Sequence, residues 1–272
     1  MGADLAALAP FAVLLLLAGA GAGLIAGLLG VGGGIVVVPV LFHVFGHLGI
    51  EPALSMKMAV GTSLATIVVT AWASARAHWE RGAVDQEVLR RLGPWVVGGV
   101  LAGALLASSL DGSVLAGLFA AVAFVVSLQI AFGNPAWRLG DRLPEGPGGA
   151  ALGGAIGALS ALLGIGGGTF VVPVLTMHGY PVRRAVGTAA AMGFVIGIPG
   201  VLGFALAGLE VTGRPPFSLG YVSLAGLAFL APASMVCAPL GAGLAHRLDI
   251  RMLRRVFALF LALTAARMAW SV

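Results

Sequence analysis

Six apolar stretches, at roughly 54–75, 92–110, 112–132, 184–209, 218–244 and 250–270, are each long enough to cross a bilayer, which takes about 20 residues of helix. Lipid offers no partner for an exposed amide or carbonyl, so each stretch must satisfy its backbone internally, as a helix. Composition points the same way. Of the 272 residues, 60% are hydrophobic and 9% charged, against about 45–50% and about 25% in a soluble domain. That balance excludes a cytosolic enzyme or a nucleic-acid binder. The net charge of +5 comes from 15 Lys+Arg and 10 Asp+Glu scattered over short interhelical stretches, which reads as loop charge facing a membrane surface. The single Cys237 allows no intramolecular disulfide, and no metal-ligand spacing occurs.

The first apolar run ends in Ala18-Gly19-Ala20-Gly21-Ala22-Gly23, which resembles a signal cleavage site. The segment before it carries Asp4 and no Lys or Arg, contrary to the basic start of a signal peptide. Residues 1–29 are therefore expected to be retained.

The chain contains itself twice. Gly30-Val31-Gly32-Gly33-Gly34-Ile35-Val36-Val37-Val38-Pro39-Val40-Leu41 matches Gly164-Ile165-Gly166-Gly167-Gly168-Thr169-Phe170-Val171-Val172-Pro173-Val174-Leu175 at nine of twelve positions. Downstream, Ala59-Val60-Gly61-Thr62 recurs as Ala185-Val186-Gly187-Thr188. The expected division is repeat 1 over 1–133, a linker over 134–147 containing Asn134, Pro135, Pro144, Gly146 and Pro147, and repeat 2 over 148–272. Each repeat holds three of the six helices plus one segment, 5–48 or 148–180, broken in the middle by its Gly-x-Gly-Gly-Gly.

Counting basic residues decides how the broken segments sit. If 148–180 crosses once, strict alternation divides the Lys and Arg residues eight against seven; if it is a re-entrant hairpin, the division is twelve against three. Lys and Arg concentrate in cytoplasmic loops, so the hairpin is preferred. Loops 76–91, 133–148, 178–184 and 245–255 then face the cytoplasm, and Lys57, Arg214 and Arg267 lie outside. Segment 5–48 has no flanking basic residue and is read as a hairpin by analogy with its partner. One hairpin plus three spans is an odd number, so the second repeat inserts upside down. The expected fold is an all-α polytopic membrane protein of two inverted repeats, each a re-entrant Gly-tipped hairpin plus three transmembrane helices. In such architectures substrates sit near the midplane, at the repeat interface.

A Gly-rich tip lets a ligand or a helix approach closely. Immediately after each tip a helix is expected to begin, at Ile35 and at Thr169, and its first amides and positive dipole end suit an anion. Two such starts could hold one small oxyanion without any buried Lys or Arg, and no charged residue lies near the middle of a span. Candidate binding residues are Gly32, Gly33, Gly34, Ile35, Pro39, Thr62 and Ser63 in repeat 1, with Gly166, Gly167, Gly168, Thr169, Pro173 and Thr188 in repeat 2. The hydroxyls would donate to the anion. Pro39 and Pro173 cannot donate to the carbonyls of Ile35 and Thr169. Simpler readings compete. Gly99-xxx-Gly103, Gly153-xxx-Gly157 and Gly193-xxx-Gly197 read as close helix packing, Thr62 and Thr188 as bonded to a carbonyl one turn back, and Lys57 as a snorkelling interfacial residue. The five His and five Trp fall near segment ends, where interfacial packing suits them.

Gly-x-x-x-x-Gly-Lys-[Ser/Thr] is absent, so ATP-driven transport within this chain is not expected. No enzyme, metal or cofactor chemistry is expected either. The paired Gly-x-Gly-Gly-Gly-(x4)-Pro-x-Leu segments, each followed by Ala-Val-Gly-Thr, resemble the sulfite exporter TauE/SafE family of membrane permeases over nearly the whole chain. The resemblance implies passage of sulfite, sulfoacetate or another organosulfonate. It points to Gly32, Gly33, Gly34 and Pro39, and to Gly166, Gly167, Gly168 and Pro173. Repeat 1 has eight extra residues between its Pro and its Ala-Val-Gly-Thr. The alternative is a carrier or channel for a carboxylate or another oxyanion. Expected partners are the small anion, membrane lipid and, in a homodimer, a second copy of the chain; nucleic acid is not among them.

Overall fold

The computed structural model describes residues 5–29, 33–133, 137–245 and 250–270. Among these the helices are α1 (Leu5–Leu29), α2 (Gly34–His47), α3 (Pro52–Glu80), α4 (Gln86–Ser109), α5 (Gly112–Phe132), α6 (Gly146–Leu163), α7 (Gly167–Met177), α8 (Val182–Ala207), α9 (Leu224–Ala245) and α10 (Ile250–Trp270). Six of them, α3, α4, α5, α6, α8 and the Leu224–Gly241 part of α9, are long and apolar enough to cross a membrane, so this is a multi-pass membrane protein.

Helix α6, expected as one arm of a hairpin, is itself 18 residues long and apolar enough to qualify as a span, whereas α10, expected as a span, carries Arg251, Arg254 and Arg255 in its first turns and is not among the six. Residues 218–223, expected to begin a helix, form the one departure from an all-α architecture among the described residues. Strands β1 (Ser218–Leu219) and β2 (Val222–Ser223) pair antiparallel, with Ser218 opposite Ser223 and Leu219 opposite Val222. Gly220, at φ 57°, makes the turn, and its Cα lies so close to the Ala205 backbone that a side chain would collide. Helix α9 begins only after this turn.

Local chemistry sets several helix starts. The Asp85 carboxylate accepts from the amides of Glu87 (3.1 Å) and Val88 (3.2 Å), capping α4 with an acidic group at the positive dipole end. Pro52 opens α3, where a missing N–H costs nothing. Gly164, at φ 65°, ends α6 in the left-handed conformation that glycine adopts without strain.

The main packing pairs map onto themselves when α1–α5 are exchanged for α6–α10. Helix α1 lies along α9 and α6 along α4; α3 touches α9 and α8 touches α4; α2 rests on α3 and α7 on α8; α3 meets α8 and α5 meets α10. Small residues make the close pairs. A Cβ on Gly19 would sit 2.6 Å from the Leu230 carbonyl, and one on Gly103 the same distance from that of Ala158. Gly99 and Gly157 approach α6 and α4 more tightly still, Gly153 packs on Trp95, and Gly193 and Gly197 face Ala71 and Val68. These Gly-xxx-Gly pairs are packing devices, as expected.

Chain direction follows from the same contacts. Residues 19 and 23 of α1 meet 230 and 234 of α9, so those helices run parallel, as do α4 and α6 through 99 with 154 and 103 with 158. Helices α3 and α8 run antiparallel, since 61 meets 204, 68 meets 197 and 83 meets 187. One face of the bundle therefore gathers the α3–α4 turn, residues 137–145 and the α7–α8 turn: Arg91 bonds Glu145 at 2.6 Å, Arg184 lies 3.7 Å from Asp85, and the Leu139 amide donates to the Met177 carbonyl at 2.9 Å. The opposite face gathers the α2–α3 and α4–α5 turns and the β-turn. There Gly112 packs on Ala53, Lys57 Nζ donates to the Ser108 carbonyl at 2.9 Å, and Lys57 sits 5.7 Å from the centre of the Tyr221 ring. Because the residues before α6 and those ending α7 share the first face, the α6–α7 unit leaves that face and returns to it.

Candidate functional site

The two Gly-motif tips meet inside the bundle. A Cβ on Gly34, the first residue of α2, would sit 2.6 Å from the Gly164 carbonyl and 3.1 Å from Ile165 Cα. The Ser63 hydroxyl donates to that same Gly164 carbonyl at 2.7 Å, pinning the second tip to α3. Around the contact Ile35, Val38, Val60, Leu64 and Ile165 are buried. The tip contact is thus packed on by apolar side chains.

On the other side of the tips lies a cavity of about 630 Å³, lined by Gly33 and by Gly166, Gly167 and Gly168 at its tip end, with Thr70, Ser74 and His78 of α3 and Arg81 just after it along one wall and Ser234 of α9 on another. His78 and Arg81 are at the end of α3, on the face shared by the α3–α4 turn, so the cavity runs from that face to the tips. Its walls are otherwise small and apolar, with alanines from α3, α8 and α9, and among the described residues no carboxylate lines it. Gly166 is extended (φ −80°, ψ 177°) and α7 starts at Gly167, two residues before the expected Thr169. The first amides of α7 therefore lie at the lining itself. Helix α2 likewise starts one residue early, at Gly34.

The structure divides the expected site residues into two groups. Gly33, Gly166, Gly167 and Gly168 line the cavity, and Gly32 lies outside the described residues. Gly34, Ile35, Pro39 and Ser63 pack behind the tips, while Thr169 is buried and Pro173 half-buried in α7. Thr62 and Thr188 sit apart from the cavity, fully buried, and bridge the two halves. Thr62 Oγ1 accepts from the Ser223 amide at 2.9 Å, just before α9, and Thr188 Oγ1 accepts from the Asp85 amide at 2.9 Å, at the cap of α4. Helices α4 and α9 are equivalent under the exchange, so the two threonines do the same work in both halves.

The polar wall of the cavity is visible in the sequence as a stripe: Thr70, Ser74 and His78 recur every four residues, the spacing that stacks side chains along one helix face, and Thr62 and Thr66 continue that spacing beyond the cavity. Thr66 and Thr70 each donate to the carbonyl one turn back, at 3.0 Å. Lys57, read as a snorkelling residue, donates to the Ser108 carbonyl in the last turn of α4. The rings of His43 and His178 donate to carbonyls one turn back at 2.7 Å. All five tryptophans are more than half exposed. A second, shallower cavity of about 430 Å³ on the same face as the first lies between α4, residues 141–145 and residues 178–181. Burial and the nearby Asp85 carboxylate push the Tyr180 phenol upward, so it stays neutral and able to donate there.

Comparison with known proteins gives a consistent set. The family description "Sulfite exporter TauE/SafE" matches residues 15–268. A "probable membrane transporter protein" of Haemophilus influenzae is 34% identical over 259 residues, covering 95% of this chain and 98% of that protein. A protein of the same printed description from Methanocaldococcus jannaschii is 28% identical over 242 residues, 89% of each chain. One from Bacillus subtilis is 28% identical over 188 residues, 67% of this chain and 74% of that protein. No solved structure matches. With the match running from α1 to α10 across both tips, this chain belongs to the sulfite exporter TauE/SafE family.

Proposed function

We propose that this chain is a secondary transporter that exports a small sulfur-containing anion, sulfite or an organosulfonate such as sulfoacetate, across the cytoplasmic membrane. The single observation that carries the reading is a cavity that ends on the glycines of the tips, at the first amides of α7. Unpaired amides at a positive helix end favour negative charge and need no buried cation to hold it. The cavity size and its apolar, alanine-rich walls suit an anion with a short carbon chain, since ligand sites are mostly apolar with a few placed polar groups. A carboxylate could be held by the same amides and is the alternative.

In this reading the face holding the α3–α4 turn, residues 137–145 and the α7–α8 turn is cytoplasmic, because Lys and Arg concentrate in such loops. The segments α1–α2 and α6–α7 are re-entrant hairpins entering from opposite sides, and the two repeats are inverted. The antiparallel course of α3 and α8, and the exchange symmetry of the packing, support this. The cavity is then open to the cytoplasm and closed to the outside. An inside-negative potential favours anion exit by about 2.3 kcal/mol per charge per 100 mV, and with no carboxylate among the described residues of the cavity wall export proceeds as uniport.

Two measurements test this. Thermal stability of the purified protein is followed with sulfite, sulfate, thiosulfate, taurine, sulfoacetate and acetate, since a ligand of the native state raises it. Stabilisation by a sulfur anion above acetate is expected; stabilisation by acetate alone favours the alternative. Sulfite flux from proteoliposomes at fixed potential is expected to be independent of a pH gradient, and flux driven by a proton gradient at zero potential refutes uniport.

A further inference from the structure

Arg81 lines the mouth of the main cavity beside His78. It is exposed, and among the described residues no carboxylate lies within ion-pair distance of it. The acidic groups near it in sequence are engaged elsewhere. Glu80 pairs with Arg76 at 3.1 Å, and Asp85 caps α4 and faces Arg184. The mouth therefore carries the Arg81 guanidinium beside the His78 imidazole, with no acidic side chain among the described residues of the cavity wall.

The opposite end of the bundle lacks this feature. Under the offset that pairs Thr62 with Thr188, His78 corresponds to Phe204 and Arg81 to Ala207. Phe204 is buried edge-on against Tyr221, their ring centres 6.3 Å apart, and Ala207 is the last residue of α8. The two halves share a backbone plan, and only one end of the pathway carries charge at these positions. A duplicated scaffold needs no such asymmetry for folding.

We infer that Arg81 forms an anion-selecting mouth that admits anions to the cavity and turns cations away, so that this end of the pathway is where substrate is captured. This rests on reading the cavity as the substrate passage. A mouth lined by one sign of charge raises the local concentration of the opposite sign and speeds its entry. Low-dielectric walls strengthen the effect, and salt weakens it.

The test reads charge selectivity without requiring any transport. In a Cys237→Ser background, Ser74→Cys places one thiol on the cavity wall of the full chain in nanodiscs. Its modification rates are measured with the anionic 2-sulfonatoethyl methanethiosulfonate and the cationic 2-(trimethylammonium)ethyl methanethiosulfonate, each normalised to a free thiol. The anionic reagent is expected to react faster. Arg81→Glu should shift the anion-to-cation ratio by roughly tenfold or more at low salt, the scale of two charges acting over a few ångströms of water, and Arg81→Gln by less. Both shifts should vanish near 1 M salt, where the screening length is about 3 Å. Arg142→Gln, a charge of the same face that lines the shallower cavity, should leave the ratio unchanged. A neutral methanethiosulfonate, reacting equally with all variants, shows that the cavity is intact. A ratio unmoved by Arg81→Glu, or moved equally by Arg142→Gln, overturns the inference. Intact selectivity in a protein that neither binds nor carries sulfur anions would overturn the transport reading instead and leave the mouth standing.

Discussion

Thr62 and Thr188 show how a repeated residue can serve architecture rather than ligand. Each is fully buried and its oxygen accepts an amide proton from a helix start in the other half. Removing the acceptor leaves that N–H without its partner, which costs about 1–3 kcal/mol where the N–H is buried, as at Ser223, and less where it is part-buried, as at Asp85. Thr188→Val should therefore lower the melting temperature of the ligand-free protein, and Thr188→Ser, which keeps the oxygen, should recover most of it. Were the hydroxyl there to hold substrate, Thr188→Val would leave the ligand-free melt alone and abolish anion-dependent stabilisation. The sequence exposes the recurrence of these threonines but not their partners. Ser223 and Asp85 lie 161 and 103 residues away, and nothing local to Ala-Val-Gly-Thr encodes that distance. The lining glycines were legible because a doubled run of glycine at membrane depth forms a poor helix, and broken backbone there is tolerated only against protein or water. That Thr70, Ser74 and Arg81 line the cavity did not follow from the glycine motif, although their helical spacing was there to read.

Among the elements, the tips decide most. Gly34 abuts the Gly164 carbonyl closely enough that a methyl group would fall 2.6 Å from it and 3.0 Å from the Ile67 side chain. Backbone on one side leaves little room to yield, and overpacking of this kind typically costs about 1–3 kcal/mol. Gly34→Ala should separate the tips, lower thermal stability by that order and suppress anion flux. Gly21→Ala, on α1 with nothing within 4 Å of the added carbon, should be silent in both assays. The helices were legible because long uncharged runs leave the backbone no other option. The β-turn at 218–223 was not, since Ser-Leu-Gly-Tyr-Val-Ser is apolar enough to pass for the start of a span. What distinguishes it is Gly220 pressed against Ala205, a contact between segments. The start of α9 shifts with it, from 218 to Leu224.

At the scale of the whole molecule, one face collects the α3–α4 turn, residues 137–145 and the α7–α8 turn, and the other holds Lys57, the α4–α5 turn and the β-turn. The basic-residue count expected the first three loops to share a side, and their mutual hydrogen bonds and ion pairs bring them together. Labelling in cells measures which side that is: in a Cys237→Ser background, single cysteines at Gly140 and Gly213 should be labelled by a membrane-impermeant reagent from the inside and the outside respectively. The reverse pattern would invert the direction of capture. The direct contact of Gly34 with Gly164 carries one more implication. In the transport reading each tip is a stopper that the other one seats, so withdrawing either would unseat both. A conduit coupled in this way cannot loosen one seal while trusting the other, and any motion that admits solute from the far side has to rebuild a barrier behind it or let the membrane discharge.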